Sequence, residues 1–108
     1  MSRFQHVVAV TLCAGMTAHP VLAMSTDEAC AQMAGAAESV MKARQNGIAL
    51  QKVLEVANNP QYASGKDGFR AIIMMAYGKP RFNTEENKQR AIDDFRDEVQ
   101  LYCMKLEN

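Results

Sequence analysis

From residue 25 onward the apolar positions fall into four stretches with three- and four-residue steps, separated by turn residues. The first stretch is Cys30, Met33, Ala34, Ala37, Val40 and Met41, which is one stripe of a helix. Ser25 followed by Glu28 opens it as a capping box: the hydroxyl accepts an amide of the first turn and the carboxylate can reach back to the cap. Asn46 and Gly47 end it, with Gly47 suited to the left-handed position just past a helix C-terminus. The second stretch, "IALQKVLEVA", is short. It places Leu50, Val53, Leu54 and Ala57 on one face before Asn58, Asn59 and Pro60 stop it. "QYASGKDG" reads as a loop or a frayed first turn, because Gly65 and Gly68 disfavour helix. Phe69, Ile72, Ile73, Ala76 and Tyr77 form the third stripe, closed by "GKP" at residues 78–80. The fourth is the longest. Asn83 or Thr84 caps it, Glu86 lies three after Asn83, and Ala91, Ile92, Phe95, Val99, Tyr102, Cys103 and Leu106 form its expected buried stripe. Glu86 with Arg90 and Arg90 with Asp94 are spaced to pair on its outer face. No stretch shows sustained strand alternation, so the predicted fold class is all-α.

The first 23 residues have a different character. Arg3 sits in a short polar opening, and Val7 to Ala18 then run without a charge. His19 and Pro20 break the run, and Val21 and Ala23 stand where a signal peptidase requires small residues. The run is too short for a spanning helix, which needs roughly 20 apolar residues. The alternative is a buried N-terminal helix. Cys13 follows Leu12 and Cys30 lies beyond the acidic pair Asp27 and Glu28, so neither looks like a lipidation site. The expected organisation is a signal peptide over 1–23, cleaved near Ala23, and a single small helical domain over 24–108, periplasmic or secreted, with no transmembrane segment in the mature chain.

Cleavage changes the inventory. It removes one of the 12 basic residues, Arg3, and none of the 12 acidic ones, leaving a formal charge of −1. No global field then draws the domain to nucleic acid or to an anionic membrane. Both histidines, His6 and His19, leave as well, and the chain has no Trp. Of the three cysteines Cys13 is lost. Cys30 and Cys103 remain, and two cysteines in an exported small domain read as one disulfide. Such a bridge is worth about 4 kcal/mol by loop-closure entropy. It joins the start of the first helix to the end of the last, so these two helices should lie side by side and antiparallel. An up-down-up-down four-helix bundle achieves this with short connections, the two shorter middle helices packing across the long pair.

Little catalytic chemistry survives. A histidine base and a histidine-ligated metal are excluded, and bridged cysteines offer no thiol nucleophile. Asp93, Asp94, Asp97 and Glu98 form the densest acidic patch, but they alternate with Arg90 and Arg96 and read as a solvated face. Met24, Met33, Met41, Met74, Met75 and Met104 raise Cu(I) binding, yet they form no Met-x-x-Met ladder, and Met33 and Met41 fall on the core stripe. No catalytic residue, metal ligand or cofactor is expected.

One constellation points toward binding. In the expected topology the first and third connections meet at the end opposite the disulfide. There "MKARQNG" brings Lys42, Arg44, Gln45 and Asn46, and "GKPRF" brings Lys79, Arg81 and Phe82; Lys42, Arg44, Lys79, Arg81 and Phe82 are the expected binding set. A basic tip with an aromatic suits an acidic partner or phosphate headgroups. The competing reading is that cations near a helix C-terminus complement its dipole. The pattern of Cys30, "MKARQNG", "AYGKPRFNTEENKQRAIDDF" and Cys103 resembles a group of small exported proteins of proteobacteria and their prophages, over nearly the whole mature chain. The resemblance implies export and pairing of the two cysteines, and assigns no site. The expected function is a non-enzymatic, macromolecule-binding periplasmic protein whose partner is a protein or another envelope component. The runner-up is a stress chaperone that exposes apolar faces on opening, by analogy of size, helices and disulfide with acid-stress chaperones. A small metal carrier or enzyme is the third class.

Overall fold

The computed structural model describes residues 25–60 and 65–106. The expected leader over 1–23, and most of the expected loop ahead of the third helix, lie outside these described residues. What is described is all-helical: α1 (Thr26–Gln45), α2 (Leu50–Ala57), α3 (Lys66–Tyr77) and α4 (Glu85–Leu106).

The helix ends follow local chemistry. Ser25 caps α1, its hydroxyl accepting the Glu28 amide at 3.1 Å. At the other end of α1 the Ile48 amide donates to the Ala43 carbonyl (3.0 Å) and the Gly47 amide to that of Arg44 (3.1 Å). This is a complete Schellman closure with Gly47 in the left-handed region at φ 79°. Thr84, rather than Asn83, caps α4: its Oγ1 accepts the Asn87 amide at 3.1 Å. The spacing from Asn83 to Glu86 is therefore not used as a capping box. α3 begins at Lys66, so Gly68 lies within its first turn.

α1 is the central element. It packs most extensively on α4 and next on α3, while α2 lies chiefly on α3. The buried face of α1 carries Cys30, Ala34, Ala37, Val40 and Met41, as its periodicity predicts. α4 contributes Ile92, Phe95, Val99 and Cys103, and α3 contributes Ile72, Ile73 and Ala76. Small alanines on α1 and larger side chains on α4 are complementary volumes for close packing. Cys30 and Cys103 are bridged, with Cα atoms 5.5 Å apart. Because the bridge joins the start of α1 to the end of α4, and the end of α1 bonds to the segment preceding α4, the two long helices run antiparallel. The middle helices were expected to pack across this pair. Instead α3 lies on α1 and α2 chiefly on α3, and both barely touch α4.

The α4 stripe is shorter than its periodicity suggests. Tyr102 is 55% exposed and Leu106 67%, although both fall on the expected core side. α1 begins at Thr26, so little helix remains beside α4 beyond the bridge to cover Leu106. Ion pairs decorate the outer face. Arg90 pairs with Glu86 (3.3 Å) and donates to Asn87 (3.4 Å) rather than to Asp94. Each exposed pair contributes a few tenths of a kcal/mol, about 0.5 at most. Among the described residues no helix is long and apolar enough to cross a membrane.

Candidate functional site

The two connections do meet. Gln45, the last residue of α1, is fully buried, and its side-chain amide is the hinge of the meeting. Its Nε2 donates to the Pro80 carbonyl at 2.9 Å and to the Met41 sulfur at 3.4 Å, and its Oε1 accepts the Phe82 amide at 2.9 Å. One side chain thus satisfies a donor and an acceptor two residues apart on the α3–α4 loop, as a neighbouring strand would. A buried amide left unmatched costs about 1–3 kcal/mol, so this geometry fixes the loop firmly. Tyr77 adds a second tie, its hydroxyl donating to the Ile48 carbonyl at 2.7 Å. Burial pushes the Tyr77 hydroxyl pKa up, opposed by the Arg44 guanidinium, which lies 5.3 Å from the ring centroid.

The five residues of the expected binding set divide into two groups. Arg44 and Lys79 are occupied internally. Arg44 Nε donates to the Lys79 carbonyl at 3.1 Å, and Lys79 Nζ pairs with Glu98 at 3.0 Å. Their charges serve the junction of α1, α3 and α4. The side chains of Lys42 and Arg81 are exposed and enter no ion pair or hydrogen bond among the described residues. The Arg81 side chain lies over Gly47, so close that a Cβ there would stand 2.8 Å from Nη2. Gly47 is constrained by its positive φ, while the guanidinium above it is the end of a flexible side chain that would yield to a Cβ. Phe82, 38% exposed, borders a small hollow with Met41, Pro80, Asp94 and Phe95.

Gln45 was placed at this end from the sequence but was given no part in the binding set. A signal for it exists: it lies four after Met41 and eight after Ala37, on the core stripe of α1 where an amide requires partners. Two other features frame the tip. Asp93 and Asp97 of the acidic face are held by Arg96, at 3.3 and 3.1 Å, and the Asp97 hydrogen bond raises the Arg96 pKa above its ordinary value. Two apolar depressions also border α1, one including Met33 and Ala36 beside α3, the other Val40, Ala43 and Ile48 beside α2. Among the described residues no group of three His, Cys, Asp or Glu side chains is placed to hold a metal ion.

No protein-family model, curated protein or solved structure matches the chain. What the fold and the tip define is a class: a small all-α protein whose two long helices are bridged by a disulfide at one end and tied by a buried amide at the other, where a cationic loop is held rigid.

Proposed function

We propose that this chain is an exported, non-enzymatic binding protein that docks a macromolecular partner through the tip formed by Lys42, Arg81 and Phe82, with Arg44 and Lys79 as its internal supports. One observation carries the reading. Arg81 is held on a loop anchored by Gln45 with its charge uncompensated, while Arg44 and Lys79 beside it have partners. A planar guanidinium so placed can take a carboxylate or phosphate in a bidentate fork, which a lysine cannot reproduce. Complementing the α1 dipole is a weaker account, because Lys42 and Arg44 already stand in the last turn of that helix. The engagement of Asp93 and Asp97 by Arg96 favours a binding role over acid–base catalysis. Export is supported by the charge-free run Val7 to Ala18, the Val21 and Ala23 pair, and a disulfide suited to an oxidising compartment. A cleaved leader predicts an intact mass beginning at Met24. The arrangement of the helices is read as a variant of the up-down-up-down bundle, centred on α1.

The test is charge reversal. Arg81→Glu should weaken partner capture from an envelope extract about tenfold or more while leaving helicity and thermal unfolding unchanged. Asp97→Lys, on the outer face of α4, should leave capture intact. Equal capture by the Arg81 variant and the parent would sink the assignment.

A second reading has its own observation. Leu101, Tyr102, Leu106, Val56 and Met74 are all more than half exposed without any opening of the fold. Apolar surface of that kind suits a chaperone that holds unfolded clients. Suppression of a client's aggregation by the folded protein, unaffected by Arg81→Glu, would favour it.

A further inference from the structure

The tip carries more than charge. Ile48 is 44% exposed, and it adjoins the Gly47 on which Arg81 rests; Phe82 follows Arg81 directly. The backbone beneath both apolar side chains is fixed. The Ile48 amide and carbonyl are bonded to Ala43 and Tyr77, and the Phe82 amide is bonded to Gln45. Two apolar side chains are therefore held toward water by ordered loops, at the same end as two cations without partners.

The sequence concentrates this character. No acidic residue occurs in residues 39–54 or in residues 68–84, the two segments that build this end, although the whole chain balances 12 acids against 12 bases. The acids that α4 brings nearby are largely spoken for. Glu85 pairs with Lys88, Glu86 with Arg90 and Glu98 with Lys79. Two opposing charges at this end have no ion pair among the described residues, Asp94 in the hollow beside Phe82 and Glu55 in the depression beside Ile48. Ile48 and Phe82 border different depressions, one beside α2 and one beside α4, so they flank the last turn of α1 rather than meeting in one pocket. A rigid protein partner would need two separate sockets with anions between them. A fluid layer of phosphate headgroups over acyl chains offers this everywhere on its surface.

Building on the docking reading, we infer that the tip binds end-on to an anionic phospholipid surface, Arg81 and Lys42 on headgroup phosphates and Ile48 and Phe82 at the headgroup–acyl boundary. The attraction is local and arises despite a neutral whole molecule. Each basic residue near such a surface contributes on the order of fivefold in affinity, so reversing one changes it about thirtyfold.

The experiment is co-sedimentation of the purified protein with vesicles. Vesicles of phosphatidylethanolamine with phosphatidylglycerol should carry it down at low salt, and phosphatidylcholine vesicles should not. Arg81→Glu should weaken the association about thirtyfold, and added salt should reduce it steeply. Phe82→Ala should weaken it about tenfold with little change in salt dependence. Asp97→Asn is the control and should bind as the parent does, and circular dichroism should show every variant folded. Three results would overturn the inference: no association with phosphatidylglycerol vesicles, equal association with phosphatidylcholine, or full binding by folded Arg81→Glu. If the parent ignores vesicles while Arg81→Glu still loses capture of a protein from the extract, the lipid inference falls and docking stands. If both fail, the tip has no docking role.

Discussion

The two ends of the molecule join the same pair of helices by opposite means. At one end a covalent bridge links Cys30 to Cys103. At the other a single buried amide, Gln45, grips the backbone on either side of Arg81. The covalent end is loosely dressed, with Leu101, Tyr102 and Leu106 more than half exposed around it. The amide end is dense, with Arg44, Tyr77 and Lys79 each bonded across chain segments. A bond that cannot dissociate holds helix ends together without close packing. An end held by hydrogen bonds needs several acting together, and that cooperation is what makes its loops rigid enough to present Arg81.

The comparison can be broken at either end. The largest effect is expected from Cys103→Ala, which removes the loop constraint and should lower unfolding free energy by about 2–5 kcal/mol in chemical denaturation. If the dense end holds α1 and α4 by itself, the variant still folds, and tip-dependent capture survives at low temperature. Gln45→Leu comes next. It keeps the apolar volume but strands the Pro80 carbonyl and the Phe82 amide, for a cost of about 2 kcal/mol. Hydrogen exchange at the Phe82 amide should accelerate far more than at the α4 core, and a variant as stable as the parent would show that the amide is not the tie. The smallest effect is expected at the ragged end. Leu106→Ser should change stability by less than about 0.5 kcal/mol, because so exposed a side chain has little burial to lose. A loss several times larger in the same denaturation would mean that the core extends past the bridge.

Periodicity revealed much of this in advance, and its failures have physical causes. The α1 stripe from Cys30 to Met41 and the closure at Gly47 follow from local spacing, and local spacing is what shapes a helix and its ends. Leu106 did not behave as expected, because periodicity fixes the face a residue occupies and not how far the neighbouring helix reaches. The meeting of the two loops was legible because a disulfide across the chain ends restricts where short connections can lie. Which cations would be consumed there was not legible. Arg44 and Lys79 are distinguished from Lys42 and Arg81 by contacts to a carbonyl and to Glu98, far apart in sequence. The role of Gln45 was not legible, because a polar residue at the end of an apolar stripe reads as its solvated edge, whereas here it turns inward.

The extensive packing of α1 on α4 bears on how such a chain would fold as it emerges from a membrane pore. α1 would arrive first, but the helix that covers most of its apolar face lies at the other end of the domain, and the two cysteines are 73 residues apart. Until α4 follows, α1 can rest only on α3 and α2, so a half-delivered domain keeps its main seam and one thiol exposed. Vectorial delivery would therefore postpone oxidation to the final step. Were Cys13 removed with the expected leader, that step would admit one intramolecular pairing, and an oxidase that joins cysteines in order of appearance would have no wrong partner to choose.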